Sequence, residues 1–198
     1  VAAQEIEARC GSSAHQGVCA EVSEYRYASA EGMLAVPDPF LIALDQVQDP
    51  QNLGAICRTA ECAGASGLVV PERRAAEVTA AVCKTSAGAV EHLPVARVRN
   101  LADFLIAAKA AGCWCYGADG AAKMSYVEVD YGGGVVLVLG SEGQGIRPRV
   151  ASACDALVAL PLRGRIESLG VSAAAAVLAY EVARGRASGA RSGAARAQ

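Results

Sequence analysis

The sequence predicts an α/β protein with a parallel sheet flanked by helices, and three observations carry that prediction. Short apolar runs alternate with helical stretches from Pro39 onward. Hydrophobic residues make up 53% of the chain and aromatics only 5%, so the core must be built from Ala, Val, Leu and Ile, which suits strands buried on both faces. Several apolar runs also end in turn residues or glycine, at the strand ends where open α/β sheets place their ligands.

The elements follow in order. Phe40 to Leu44 is a buried-strand run, and Asn52 to Ala63 is a helical stretch closed by Gly64. Gly67 to Val70 reads as a strand, Ala75 to Lys84 as a helix and Leu93 to Val98 as a third strand. Leu101 to Ala111 is a helix ended at Gly112, and Cys113 to Gly117 and Val135 to Leu139 are strands. A short helix near Arg147 to Ala153 precedes the strand Ala156 to Leu160, and the Ala-rich stretch Leu169 to Arg184 closes the series as a helix. Alternation at this spacing favours helices on both faces of one parallel sheet.

With 198 residues the chain is long enough for one substantial domain. That domain is predicted over residues 37–185. Residues 1–36 are mixed in character, begin without Met, and read as a linker or the remnant of a preceding RNA-binding domain. Residues 186–198 are Gly, Ala, Ser, Gln and Arg, expected to form a disordered basic tail. No apolar run approaches the roughly 20 residues of a membrane span, and the start lacks a signal-like pattern, so a cytoplasmic protein is expected.

The formal charge of −2 excludes a uniformly basic coat, so any nucleic-acid contact must be local. Arg147, Arg149, Arg163 and Arg165 flank two candidate loops, although each alone reads as a solvated surface charge. Cys57, Cys62, Cys83, Cys113, Cys115 and Cys154 lie within apolar patterns and read as reduced core residues. No C-x-x-C pair occurs, and His15 and His92 add no ligand set, so no metal is expected.

Three blocks can carry chemistry. In the first, Asp49-Pro50 makes a turn at a strand's carboxyl end and Asn52 can cap the helix that follows. That helix is apolar on nearly every side and should be buried on two faces, so Arg58 within it needs an acidic partner or a ligand. In the second, the strand ending at Leu139 runs into Gly140, Gly143 and Gly145. This G-x-x-G-x-G spacing lets a backbone approach a ligand, but it is neither the dinucleotide G-x-G-x-x-G nor a P-loop. In the third, Leu160 to Ser172, Ser168 is a plausible N-cap, and small residues after it permit a close approach. Locally each block also fits plain structure: an ion pair, a tight turn and a capped core helix.

Order and content together are more specific. D-P-Q-N-L-G-A-I-C-R-T-A, L-V-L-G-S-E-G-Q-G-I and L-P-L-R-G-R-I-E-S-L-G-V-S resemble, in this order, the three motifs of the SpoU branch of the SPOUT RNA methyltransferases, over roughly Pro39 to Arg184. Upstream, His15-Gln16-Gly17-Val18 and Glu21-Val22-Ser23 are similar to the junction after the small RNA-binding domain of bacterial 23S rRNA guanosine 2'-O-methyltransferases.

The resemblance implies a SPOUT fold with a carboxyl-terminal trefoil knot, a homodimer joined through the knots, S-adenosyl-L-methionine as cofactor and RNA as partner, with a guanosine of 23S rRNA as the first target. It implies that the main chain around Gly117, Leu139, Gly140, Gly145, Leu160, Leu162 and Leu169 holds the cofactor. It also implies that Asn52, Arg58, Glu142 and Ser168 are catalytic or orient the substrate, Arg58 acting across the dimer interface. One departure stands out: Gly170 occupies the place where the family has Asn. A tRNA methyltransferase and a catalytically weak RNA-binding or assembly protein are the alternatives. A nucleotide-dependent oxidoreductase fits less well, because the glycine spacing is wrong.

Overall fold

The chain as described by a computed structural model covers residues 1–11, 13, 15–166 and 168–195, with side chains described through residue 187. Seven strands, β1 (Phe40–Asp45), β2 (Gly67–Pro71), β3 (Val95–Val98), β4 (Cys113–Ala118), β5 (Met124–Ser125), β6 (Gly134–Gly140) and β7 (Ala156–Ala159), form one sheet. Its order is β3-β2-β1-β6-β4-β7-β5. All pairs are parallel.

β1 shows why the sheet needs helices on both faces. All six of its residues are buried. Phe40, Ile42 and Leu44 join Leu53, Ile56 and Leu178 in one layer, and Leu41 and Ala43 join Leu101, Leu105 and Val150 in the other. A side-chain period of two thus feeds two cores from one apolar run.

The helices are α1 (Ala3–Cys10), α2 (Ala30–Leu34), α3 (Pro50–Cys62), α4 (Ala80–Thr85), α5 (Leu101–Ala110), α6 (Pro148–Ala151) and α7 (Val171–Ala195). Asp49, not Asn52, caps α3: its carboxylate accepts from the Gln51 N–H at 2.9 Å, and Pro50 occupies the first turn, where no amide partner is needed.

Two further expectations change, the start of one helix and the burial of three cysteines. The helix predicted from Ala75 starts only at Ala80, because the Ala76 N–H is taken by the Val47 carbonyl and the Val78 N–H by the Tyr27 hydroxyl. Upstream of residue 37, Ala28 bridges to Ala96, and the Tyr25 hydroxyl donates to the Val90 carbonyl at 3.2 Å. At the other end α7 continues through Ala195. A helix nucleated by its packed first half extends readily through Ala and Arg, which are good helix formers; residues 196–198 lie outside the described residues. Finally, Cys62 is exposed and Cys83 and Cys154 are only half-buried, while Cys57, Cys113 and Cys115 are core residues.

Candidate active site

Parallel pairing lines up the carboxyl ends of β1, β6, β4 and β7. Asp45 is in register with Gly140, Gly117 with Val138, and Gly117 also with Leu157, two residues before β7 ends. Leu139, Gly140, Gly117 and Leu160, predicted to hold a cofactor, therefore share one rim. Here the strand order leaves sequence order, the place where open α/β sheets bind ligands.

Gly140 and Gly117 need glycine for different reasons. A Cβ on Gly140 would sit 1.9 Å from the Gly145 carbonyl carbon, because the turn folds back on its own strand. That turn is closed by the Gly145 N–H donating to the Ser141 carbonyl at 2.9 Å. Gly143 and Gly145 have φ of 82° and 65°, the left-handed region that disfavours side chains. Glu142 to Gly145 stay exposed, so apart from the Gly145 N–H their backbone groups lie open to a ligand. A Cβ on Gly117 would meet Leu157 Cδ2 at 2.6 Å and Ile146 Cδ1 at 3.0 Å, so packing keeps that strand end flat.

A cavity of about 360 Å³ opens beside this rim, between Gly120 to Ser125 and Ala159 to Leu162. Its size falls in the range of small-molecule sites, and it takes in Leu160 and Leu162. A larger groove of about 880 Å³ lies in the opposite layer, between α2, the β3–α5 turn and Arg149. It contains none of the predicted site residues, so volume alone points away from the motifs.

The three motif blocks meet at Glu142. Its Oε1 accepts from Asn52 Nδ2 at 3.2 Å and from the Val171 N–H at the start of α7 at 3.3 Å. Asn52 is free to do this because Asp49 does the capping. Position 170 is adjacent: a Cβ there would lie 3.4 Å from the same Oε1.

The other predicted residues are not brought into this network. Arg58 is exposed on the outer side of α3 and makes no ion pair among the described residues. α3 buries one face, through Leu53, Gly54, Ile56, Cys57 and Ala60, not two. The desolvation argument for Arg58 therefore does not hold within a single chain. Ser168 is exposed and precedes the helix; the Gly170 carbonyl, accepting from the Ala174 N–H at 3.0 Å, starts α7 instead. Leu162 and Leu169 are also solvent-facing.

One pair went unassigned in the sequence. Asp45, fully buried, holds Arg147 by its guanidinium and its backbone N–H. The signal was present: an acid ending an otherwise apolar strand must have a partner. Cys154, whose Sγ lies within 3.2 Å of a Gly117 Cβ position, is no nucleophile, because burial first and the neighbouring Asp155 next push its thiol up to about 12. Among the described residues no group of three or more His, Cys, Asp or Glu could hold a metal ion, and no helix is long and apolar enough to cross a membrane.

A glycine-turn rim, an amide–carboxylate contact and a ligand-sized cavity at the carboxyl ends of a parallel sheet define an α/β enzyme with a small-molecule cofactor site. The family is narrower. The model of the SpoU rRNA Methylase family matches residues 39–180, and the chain belongs to that family of RNA methyltransferases. It is 45% identical over 177 residues to the TrmH family protein YacO of Bacillus subtilis (strain 168), covering 87% of this chain and 71% of that protein. It is 42% identical over 193 residues to the 23S rRNA (guanosine-2'-O-)-methyltransferase RlmB of Xanthomonas campestris pv. campestris, covering 92% of this chain and 76% of that one. Among solved structures it is similar to the SpoU methyltransferase AviRb from Streptomyces viridochromogenes in complex with AdoMet, with a TM-score of 0.76, 29% identity, and coverage of 83% of this chain and 67% of that one.

Proposed function

We propose that the protein transfers a methyl group from S-adenosyl-L-methionine to the 2'-oxygen of a ribose in RNA, with a guanosine of 23S rRNA in the cytoplasm as its target. The observation that carries this reading is the junction at Glu142, where residues from all three motif blocks meet on one carboxylate. The similarity to RlmB supports the target, and the AdoMet-bound AviRb structure supports the cofactor.

The site fits that cofactor. Gly140 begins a turn that leaves it no room for a Cβ, Gly145 closes that turn at a positive φ, Leu139 and Gly117 flank it, and Leu160 and Leu162 line the adjoining cavity. The main chain at Leu169, in the loop before α7, would add a further contact to the cofactor. When bound, the cofactor supplies a methyl group on a sulfonium, so no metal is required.

What the chain must add is alignment and a route for the hydroxyl proton. Near-ideal orientation contributes roughly 7–11 kcal/mol. Asn52 and Glu142 set the polar wall beside position 170, and Ser168 orients the ribose. Arg58 binds the target phosphate and ribose and polarises the hydroxyl. A guanidinium gives up its proton reluctantly, so the acceptor of the hydroxyl proton as the methyl–oxygen bond forms is either a phosphate oxygen of the RNA or a transiently neutral Arg58.

The outward placement of Arg58 supports a homodimer in which Arg58 of one protomer serves the site of its partner. Exposed Leu162, Ile166, Leu169 and Val177 lie on the loop before α7 and on α7 itself. They supply apolar surface for that contact, with the loop and α7 threaded as the family's trefoil knot.

The test is labelled-methyl transfer to total RNA from a strain lacking the protein, followed by mapping of the modified ribose. Incorporation at a 2'-oxygen of a 23S guanosine is expected. No incorporation, or methyl on a base, overturns the proposal.

A further inference from the structure

We infer that Asp45 is a positioning residue, which with Arg147 sets the Gly140–Ile146 turn at the height the site requires. The inference rests on the cofactor reading above and concerns how that site is held.

Asp45 is the last residue of β1 and is 0% exposed. Its backbone is in register with Gly140, where the turn begins. Its side chain holds Arg147, where the turn ends: Oδ2 accepts from the Arg147 N–H at 2.8 Å. Nε lies 2.8 Å from Oδ1 and 3.2 Å from Oδ2, and Nη2 lies 2.6 Å from Oδ1. One residue thus grips both ends of the turn. Between those ends sits Glu142, whose carboxylate joins α3 and α7.

A purely structural reading explains this poorly. A buried charge pair is a weak source of stability compared with apolar residues of similar size, and the preceding run Phe40 to Leu44 shows that the strand accepts apolar residues at every position. The Arg147 side chain is still 45% exposed, so it fills no core space. What the pair adds is direction: a bidentate guanidinium and a backbone N–H on one carboxylate fix distance and angle together. A displacement of one ångström in such a support is enough to cost about a hundredfold in rate.

The test uses the full chain with Arg147→Lys, which keeps the charge and loses the fork, and Arg147→Gln, which loses both. Arg147→Lys keeps a cation beside the buried Asp45 and is expected to melt near wild type, whereas Arg147→Gln leaves that carboxylate without its counter-charge and is expected to melt lower, so Arg147→Lys carries the binding and kinetic comparison. Affinity for S-adenosylmethionine by calorimetry should fall about tenfold, and the methyl-transfer kcat by about tenfold to a hundredfold, with the KM for RNA little changed. Wild-type affinity and kcat in both variants would overturn the inference. The position of the turn is also read without any ligand, by hydrogen exchange of the Ser141–Ile146 amides, which Arg147→Gln should speed about tenfold. Unchanged exchange overturns the positioning role even if the cofactor binds. A wild-type chain that ignores S-adenosylmethionine while Arg147→Gln still loosens the turn refutes the cofactor reading and leaves the clamp.

Discussion

The two loops that frame the site are held in opposite ways. The Gly140–Ile146 turn is pinned by a strand on one side, a backbone bridge across it and the buried Asp45 beneath it. The described residues of Pro161–Gly170 are solvent-facing, including Leu162, Ile166 and Leu169. One chain is therefore sufficient to fix the glycine turn, whereas the loop that carries Leu162 and Leu169 lies open, with apolar side chains that a ligand or a second copy would cover. Preorganisation belongs to the first region and completion to the second.

Four predictions break or sharpen that contrast. The largest effect is expected from Gly140→Ala. Its Cβ would overlap the backbone of Gly145 at 1.9 Å, and backbone cannot yield as a side-chain end can, so denaturant melts should show a loss of at least about 3 kcal/mol together with lost cofactor binding. A stable, binding variant would show that the turn is not preformed.

Arg58→Ala should do the reverse. An exposed arginine with no ion pair among the described residues contributes within about 0.5 kcal/mol to stability, yet methyl transfer should drop by about a hundredfold or more if it holds the transition-state oxygens. Mixing Arg58→Ala with a chain inactivated at Glu142 should restore part of the activity in mixed dimers, and no restoration would place Arg58 in its own chain's site.

Gly170→Asn gives a smaller change. The position has an ordinary φ and a Cβ would clear Glu142 Oε1 at 3.4 Å, so the fold should tolerate it. One added hydrogen bond to substrate is worth a rate gain of about threefold to tenfold. An unchanged rate would show that the missing amide is not limiting.

The smallest effect is chemical. With iodoacetamide under native conditions, exposed Cys62 on the outer side of α3 should react while Cys57 resists, its thiol pushed by burial to about 12. Dimerisation through this side of α3 should slow Cys62 as protein concentration rises. A rate independent of concentration would move the interface elsewhere.

Much of the fold could be read from periodicity because β1 and β2 are buried throughout and β6 up to Leu139, and a buried strand leaves an unbroken apolar run. Where the reading failed, a long-range partner had taken over the backbone: Tyr27 and Val47 claim the amides that would have begun a helix at Ala75. Two-residue β5 exists only as an addition to β7 and has no pattern to detect.

The site divides along the same line. The sequence by itself determined the glycine turn, the motif order and the family, since these depend on residue type and spacing along one segment. Only the tertiary structure decided that Asp49 caps α3 and so releases Asn52 to Glu142, that Arg58 faces outward, and that Asp45 reaches Arg147 across 102 positions of sequence. Those are choices among competing hydrogen-bond partners, and which partner wins depends on what packing brings within about 3 Å.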